Sequence, residues 1–236
     1  MSDSHPALIF APPVIGDIPI NGTHLRFPVH RIFCVGRNYA AHAREMGMAV
    51  ARDAPIYFTK CSGNLVMSGA TVPYPPGTSD YQHEIELVVA IDKTAFRVEA
   101  AHALEVVFGY ACGLDMTRRD LQYKAAAKGF PWDTGKDFEN SAVISAIVTA
   151  NTCGHIRAGA IRLSVNGEVR QTGDINDLMW SVPELIADLS NYYHLRPGDL
   201  IYTGTPAGVG PVRPGDRITG SIDHVGEIAL TIGAAE

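Results

Sequence analysis

Between Asp80 and Ile91 the chain reads DYQHEIELVVAI, polar residues giving way to an unbroken apolar run, the pattern of a strand that enters a core. Side chains alternate across a strand, so Glu84 and Glu86 fall on one face while His83, Ile85, Leu87 and Val89 fall on the other. Short apolar runs likewise mark IFCV (32–35), APIYFTKC (54–61) and YACGLDM (110–116) as strands. The first leads through Gly36 into a stretch of helix formers that stops at Gly47, which predicts a strand, a turn and a short helix. Val98, Ala101, Leu104, Val107 and Phe108 recur at helical spacing in RVEAAHALEVVFG and predict a helix between two strands. RRDLQYKAAAKG predicts another helix, followed by the loop FPWDTGKDFENS.

The last third is punctuated by turn chemistry. IRLSVNGEVRQ reads as a hairpin on Asn166-Gly167, a pair suited to a type I′ turn. Ser181 and Glu184 form a capping-box pattern with Pro183 in the first turn, which heads a helix. Two Arg-Pro-Gly-Asp turns then separate short strands, with Pro and Gly where a type II turn takes them. No low-complexity linker interrupts the chain. The expectation is one compact α+β, β-rich domain over 28–236, preceded by an N-terminal appendage of short strands over 1–27.

Composition narrows the partner. The 236 residues, 46% hydrophobic and 19% charged, can bury a core without disulfides or a structural metal. A net charge of -6 with no block of Lys or Arg argues against a nucleic-acid groove or an anionic membrane surface, so the expected partner is small. Cys34, Cys61, Cys112 and Cys153 include no CxxC pair, and so read neither as a zinc site nor as a disulfide framework; a reducing cytoplasm is expected. The N-terminus lacks a signal pattern and no run reaches the 18 or so apolar residues of a membrane span, which predicts a soluble, untargeted protein.

Three constellations stand out against that background. A lone Glu-x-Glu is most often a solvated strand end. Asp115, however, closes the apolar run ACGL, a poor place for a surface acid, and three carboxylates at strand ends make an oxygen-rich site for a hard cation such as Mg²⁺. His83 faces the other way and is not counted as a ligand. His42 and Glu45, three apart on the short helix, are either an exposed helix contact or a base oriented by a carboxylate. Lys60, Arg119, Gln122 and Lys136, each unremarkable alone, can together hold an anionic substrate beside a metal. The glycines of TGTPAGVG (203–210) permit close backbone approach to a ligand, and Thr203 and Thr205 can donate to a carboxylate. The stretch opens onto a strand-like region rather than a helix, so no nucleotide cofactor is expected.

GRNYAAH, HEIEL, GLDMTRRDLQ, KGFPWDTGKDF and LIYTGTPAGVG occur together in one chain, and as a set the sequence resembles the fumarylacetoacetate hydrolase family. The resemblance implies a mixed β-roll or sandwich with peripheral helices, assembled as a homodimer. It implies Glu84, Glu86 and Asp115 as ligands of Mg²⁺ or Mn²⁺, with His42 and Glu45 as a catalytic dyad on a helix that can close over substrate. Lys136 would stand beside the metal as a catalytic group, and Arg37, Lys60, Arg119, Gln122 and Thr203 would bind substrate. Two departures, Cys61 after Lys60 and Arg118 before Arg119, put the fine shape of the pocket in question.

The implied activity is hydrolysis of the carbon-carbon bond of a 3-acylpyruvate, a small anionic diketo acid, with fumarylpyruvate from gentisate breakdown as the expected substrate. The same site would also serve oxaloacetate decarboxylation or isomerisation of 2-hydroxyhepta-2,4-diene-1,7-dioate. A non-catalytic carboxylate binder is a further alternative, against which an oriented His-Glu pair argues.

Overall fold

The apolar run after Glu86 lies at the centre of an eight-stranded mixed sheet in the computed structural model, which describes residues 8–12, 14–47, 50 and 52–235. Across this sheet run Ile56–Lys60, Ile32–Gly36, Leu200–Tyr202, Ile85–Ile91, Val107–Asp115, Ala142–Ile144 and Leu65–Met67, with Val148–Thr149 also paired to Val107–Asp115. Leu200–Tyr202 is parallel to Ile32–Gly36, and Ala142–Ile144 is parallel to Leu65–Met67; the other pairs are antiparallel. All seven residues of Ile85–Ile91 are buried, as a strand with a neighbour on each side and a layer on each face requires.

One of those layers is a five-stranded sheet, ordered Glu168–Asp174, Ala160–Val165, Arg217–Ile222, Gly226–Ala235 and Thr71–Tyr74. Leu87, Val89 and Ile91 share a core with its Ile161, Leu163, Ile218 and Leu230, and with Leu185, Ile186 and Leu189 of the helix Val182–Tyr192. That helix begins at the expected capping box, the Ser181 N–H donating to the Glu184 carboxylate over 2.9 Å. The hairpin turns as read: Asn166 and Gly167 both have positive φ (53° and 82°), and Val165 lies opposite Glu168. Both Arg-Pro-Gly-Asp turns place their glycine at φ +96°.

The second layer comes from the segment read as an appendage. Asp17–Pro19 and Arg26–Pro28 form a hairpin whose Ile18 and Phe27 share a buried cluster with Val88, Ala90, Ala111 and Tyr202 of the large sheet. The α+β, β-rich sandwich is as expected. The helix over RVEAAHALEVVFG is not: it shrinks to a single 3-10 turn, Ala103–Val106, and Val107 already begins the nine-residue strand Val107–Asp115. Pairing of Val107 with Ile91, and onward to Leu114 with Ile85, outweighs a helical periodicity whose Ala101 is exposed to solvent.

Two seams in this architecture matter for function. Tyr81–His83 belongs to a separate three-stranded sheet with Thr117–Arg118 and Gly210–Pro211, so Glu84 is the single residue between two sheets. Asp115 is the last residue of its strand, directly across the seam, its N–H donating to the Glu84 carbonyl over 2.9 Å.

Because Ile18 is wholly buried, Ile18→Ala should lower the stability of the whole domain by about 2–5 kcal/mol. Urea unfolding is expected to show one transition at a lower midpoint with an unchanged slope; a separate early transition would mean that the hairpin is energetically independent.

Candidate functional site

At these seams the sequence brings three carboxylates together without exposing them. Glu84, Glu86 and Asp115 are 4%, 1% and 1% exposed, and each offers an oxygen within 4.8 Å of the others. Three cations stand against them. Lys136, on the short helix α3 (Asp133–Lys136) that forms within the expected loop, places Nζ 2.7 Å from Glu84 Oε2, 2.6 Å from Asp115 Oδ2 and 2.8 Å from Thr117 Oγ1. Arg119 heads the helix α2 (Arg119–Ala126) and donates to Glu84 Oε1, to Gln82 Oε1 at 2.9 Å and to Gln122 Oε1 at 2.6 Å. Lys60, at the end of Ile56–Lys60, lies 2.8 Å from Asp115 Oδ1 and donates to the carbonyls of Met116 and Lys136.

The cations are shared unequally. Burial alone would raise the Glu84 carboxyl, but Lys136 and Arg119 beside it hold it below the usual carboxylate range. Glu86 has no such partner: burial first, then the charges of Asp115 and Glu84, push its carboxyl well up, against the smaller pull of Lys136 and a 2.7 Å hydrogen bond from Gly204 N–H. Burial lowers the Lys136 ammonium, yet Asp115 and Glu84 more than offset it and keep it charged. Glu86 is therefore the carboxylate that the three cations leave least neutralised. An all-oxygen donor set that converges on an under-neutralised carboxylate fits Mg²⁺ or Mn²⁺.

The helix α1 (Ala40–Glu45) closes one side of this cluster. It follows Arg37, which takes a left-handed φ of +63°, and Asn38, whose buried amide ties the turn to Trp180 N–H and carbonyl and to the Thr203 carbonyl. His42 is 6% exposed, and its Nδ1 is 3.0 Å from Glu45 Oε2. The other Glu45 oxygen accepts from Gly208 N–H at 2.9 Å. Gly208 has φ +101°, and a Cβ there would stand 2.0 Å from the Arg170 carbonyl, so only glycine can present that N–H. Hydrogen-bonded through Nδ1 to a carboxylate, the imidazole keeps Nε2 as its free acceptor.

His42, Glu84, Glu86, Arg37, Arg119, Gln122, Lys136 and Thr205 line one cavity, walled by Val35, Gly36, Met46, Phe58 and Trp132. Its free volume is about 30 Å³, roughly the room of a water molecule. Two residues expected to bind substrate do not reach it. Lys60 is wholly buried behind Asp115, and the Thr203 hydroxyl donates to the Leu87 carbonyl at 2.9 Å. Thr205 is the threonine at the cavity, although it too donates to a carbonyl, that of Ile85. His83 points away, toward Gln171, as alternation requires. Neither departure intrudes: Cys61 is exposed and Arg118 stacks over Phe138 at 4.2 Å. Phe58 and Trp132, 5.9 Å apart, are walls that the sequence reading missed, although Trp132 stands inside the quoted KGFPWDTGKDF.

A sandwich that sets two of three clustered carboxylates and a carboxylate-oriented histidine around one cavity defines a class. The model for fumarylacetoacetate (FAA) hydrolase C-terminal matches residues 31–233, and the chain belongs to that family. Within it, the chain is 57% identical over 184 residues to a fumarylpyruvate hydrolase of Ralstonia sp, covering 78% of this chain and 95% of that one. It is 38% identical over 203 residues to an oxaloacetate tautomerase of Escherichia coli (strain K12), covering 86% and 92%. The crystal structure of fumarylpyruvate hydrolase from Pseudomonas aeruginosa in complex with Mn²⁺ and pyruvate superposes with a TM-score of 0.93 at 47% identity, covering 97% of this chain and all of that one.

The incomplete neutralisation of Glu86 gives a prediction with two opposite signs. Glu86→Gln removes the repulsion yet can still accept from Gly204 N–H, so its melting temperature in EDTA should exceed that of the wild type. Mn²⁺ at 100 times its dissociation constant should stabilise the wild type by about 2.7 kcal/mol and the variant far less. Calorimetry with and without Mn²⁺ measures both, and equal metal-induced shifts would remove Glu86 from the ligand set.

Proposed function

We propose that the protein hydrolyses the carbon-carbon bond of a 3-acylpyruvate, with fumarylpyruvate as substrate and fumarate and pyruvate as products. One observation carries the reading: Glu84 and Glu86 of the carboxylate cluster line the same cavity as His42, whose imidazole is oriented by Glu45. The 57% identity to a fumarylpyruvate hydrolase supports the choice of acyl group. Charge agrees, since three cations already face three carboxylates and a divalent ion would leave the excess positive charge that a dicarboxylate needs.

Glu84, Glu86 and Asp115 hold Mg²⁺ or Mn²⁺, which when bound supplies Lewis-acid polarisation of the pyruvoyl end and a counter-charge for an enolate. The remaining steps belong to side chains. Arg119 occupies the Gln122 oxygen, so the Gln122 amide nitrogen is left to donate to the substrate carboxylate. His42 Nε2 removes a proton from water, Glu45 holding the ring and balancing the imidazolium. The water oxygen bonds to the distal carbonyl carbon, and the negative charge that develops on the carbonyl oxygen is met by donors at the cavity wall, Lys136 among them. The oxyanion re-forms its carbonyl as the bond to the methylene breaks; the methylene keeps the electron pair and takes back the proton held on His42 to become the pyruvate methyl group, and the new carboxylic acid loses its proton to solvent. α1 carries His42 on one wall of this narrow cavity and would move aside to admit substrate. Assembly as a homodimer and a cytoplasmic place in gentisate breakdown are part of the same proposal and rest on family membership.

The test is loss of the ultraviolet absorbance of fumarylpyruvate with Mg²⁺ or Mn²⁺ and with EDTA. Pyruvate and fumarate should form in equal amounts with metal and not at all with EDTA. If oxaloacetate is consumed instead, the site stands and the reaction moves to that of the tautomerase relatives. His42→Ala should lower turnover by about 10²- to 10⁴-fold while Mn²⁺ binding is retained; normal turnover would remove His42 as the base.

A further inference from the structure

The strand that carries Glu84 and Glu86 loses its neighbour where the two glutamates stand. Leu200–Tyr202 pairs with it only as far as Tyr202 opposite Val88. Beyond that point Thr203 donates twice to the Leu87 carbonyl, from N–H at 3.0 Å and Oγ1 at 2.9 Å, and the chain then turns away through Gly204. Ile85, between the glutamates, faces Leu114 on its other side, where the ladder bond is made by Glu84 and Asp115 instead. Its own N–H and carbonyl therefore point to the side where the sheet has ended, and Ile85 is wholly buried. An unpaired buried amide there would be destabilising and would leave the spacing of the two carboxylates unset.

Side chains replace the missing strand. Gln171, on Glu168–Asp174 of the other sheet and 0% exposed, accepts from Ile85 N–H at 3.1 Å and from His83 Nδ1 at 3.0 Å. Its amide nitrogen donates to Thr205 Oγ1 and to the Pro206 carbonyl, both at 2.8 Å. Thr205 in turn donates to the Ile85 carbonyl at 2.8 Å. Both acceptor and both donor capacities of Gln171 are used, and the Ile85 N–H fixes which way round the amide lies. That orientation also fixes the proton of His83 on Nδ1. Gln171 does not line the cavity, yet it joins the residue between two ligand glutamates to the loop whose Gly204 N–H holds Glu86 and whose Thr205 faces the cavity.

We infer that Gln171 is a positioning residue: from the far sheet it sets the spacing of Glu84 and Glu86 and the seat of Thr205, and through them the affinity for the metal. The inference rests on the reading of Glu84, Glu86 and Asp115 as a metal site.

Gln171→Met keeps the length and removes all four hydrogen bonds; Thr205→Val breaks the loop side of the same network. The Mn²⁺ dissociation constant, from the electron paramagnetic resonance signal of free Mn²⁺, and the Mn²⁺ concentration for half-maximal turnover are measured for both variants, with melting temperatures in EDTA. Outer partners of metal ligands typically change affinity by about 10- to 100-fold, and Q171M should raise both metal constants by that factor, with turnover recovering at high Mn²⁺. A loss of folded protein alone would lower the amplitude of turnover and leave its metal midpoint in place. T205V should shift the midpoint in the same direction by less. A folded Q171M with wild-type Mn²⁺ constants overturns the inference and leaves the metal site standing. If Q171M does not fold, T205V decides: a constant within about twofold of the wild type overturns it. Wild-type protein that takes up no Mn²⁺ overturns the metal reading and the inference together.

Discussion

Three carboxylates forced into one dry place are the constraint around which this molecule is arranged. Buried charges survive only when partners and hydrogen bonds replace the lost water. Here the partners arrive from separate elements: Lys60 from an edge-ward strand of the large sheet, Arg119 from the start of α2 and Lys136 from the single turn of α3. The seam between two sheets puts Glu84 opposite Asp115, and the loop after Tyr202 brings the Gly204 N–H to Glu86. Removing any of these contacts would leave a buried charge less fully compensated. The parts are thus fixed by one another more than by local preference.

The carboxylates themselves were legible because their signals are local. Period-two alternation put Glu84 and Glu86 on one face, an acid at the end of an apolar strand marked Asp115, and helical spacing joined His42 to Glu45. The hairpin, the capping box and both proline-glycine turns were legible for the same reason. What depends on distant pairing was not. Lys60 sits behind the cluster because of where its strand ends against α3, and whether Thr203 or Thr205 meets the cavity depends on a turn that follows Tyr202. The helix read over 97–109 failed because Val107–Asp115 found strands on both sides, and Gln171 acts across two sheets that the sequence separates by some eighty residues.

The chain is similar both to a fumarylpyruvate hydrolase and to an oxaloacetate tautomerase, so membership of the family leaves the choice of keto acid to the details of the cavity. On the proposed reading, selection among acyl groups would fall to the remaining wall, where Arg37, Met46, Trp132 and Phe58, the last beneath the Lys136 ammonium, face the cavity.

The hydrogen bond between Glu45 and Gly208 also has a kinetic side. If α1 moves aside for substrate, as proposed above, the wall held by that bond and by Tyr123 against Met46 must swing away each time the cavity exchanges its contents. Ligand association then becomes a gated process, whose observed rate levels off at high concentration at the frequency of opening. The groups that orient the imidazole in the closed state are the same ones that must let go before the next molecule can enter.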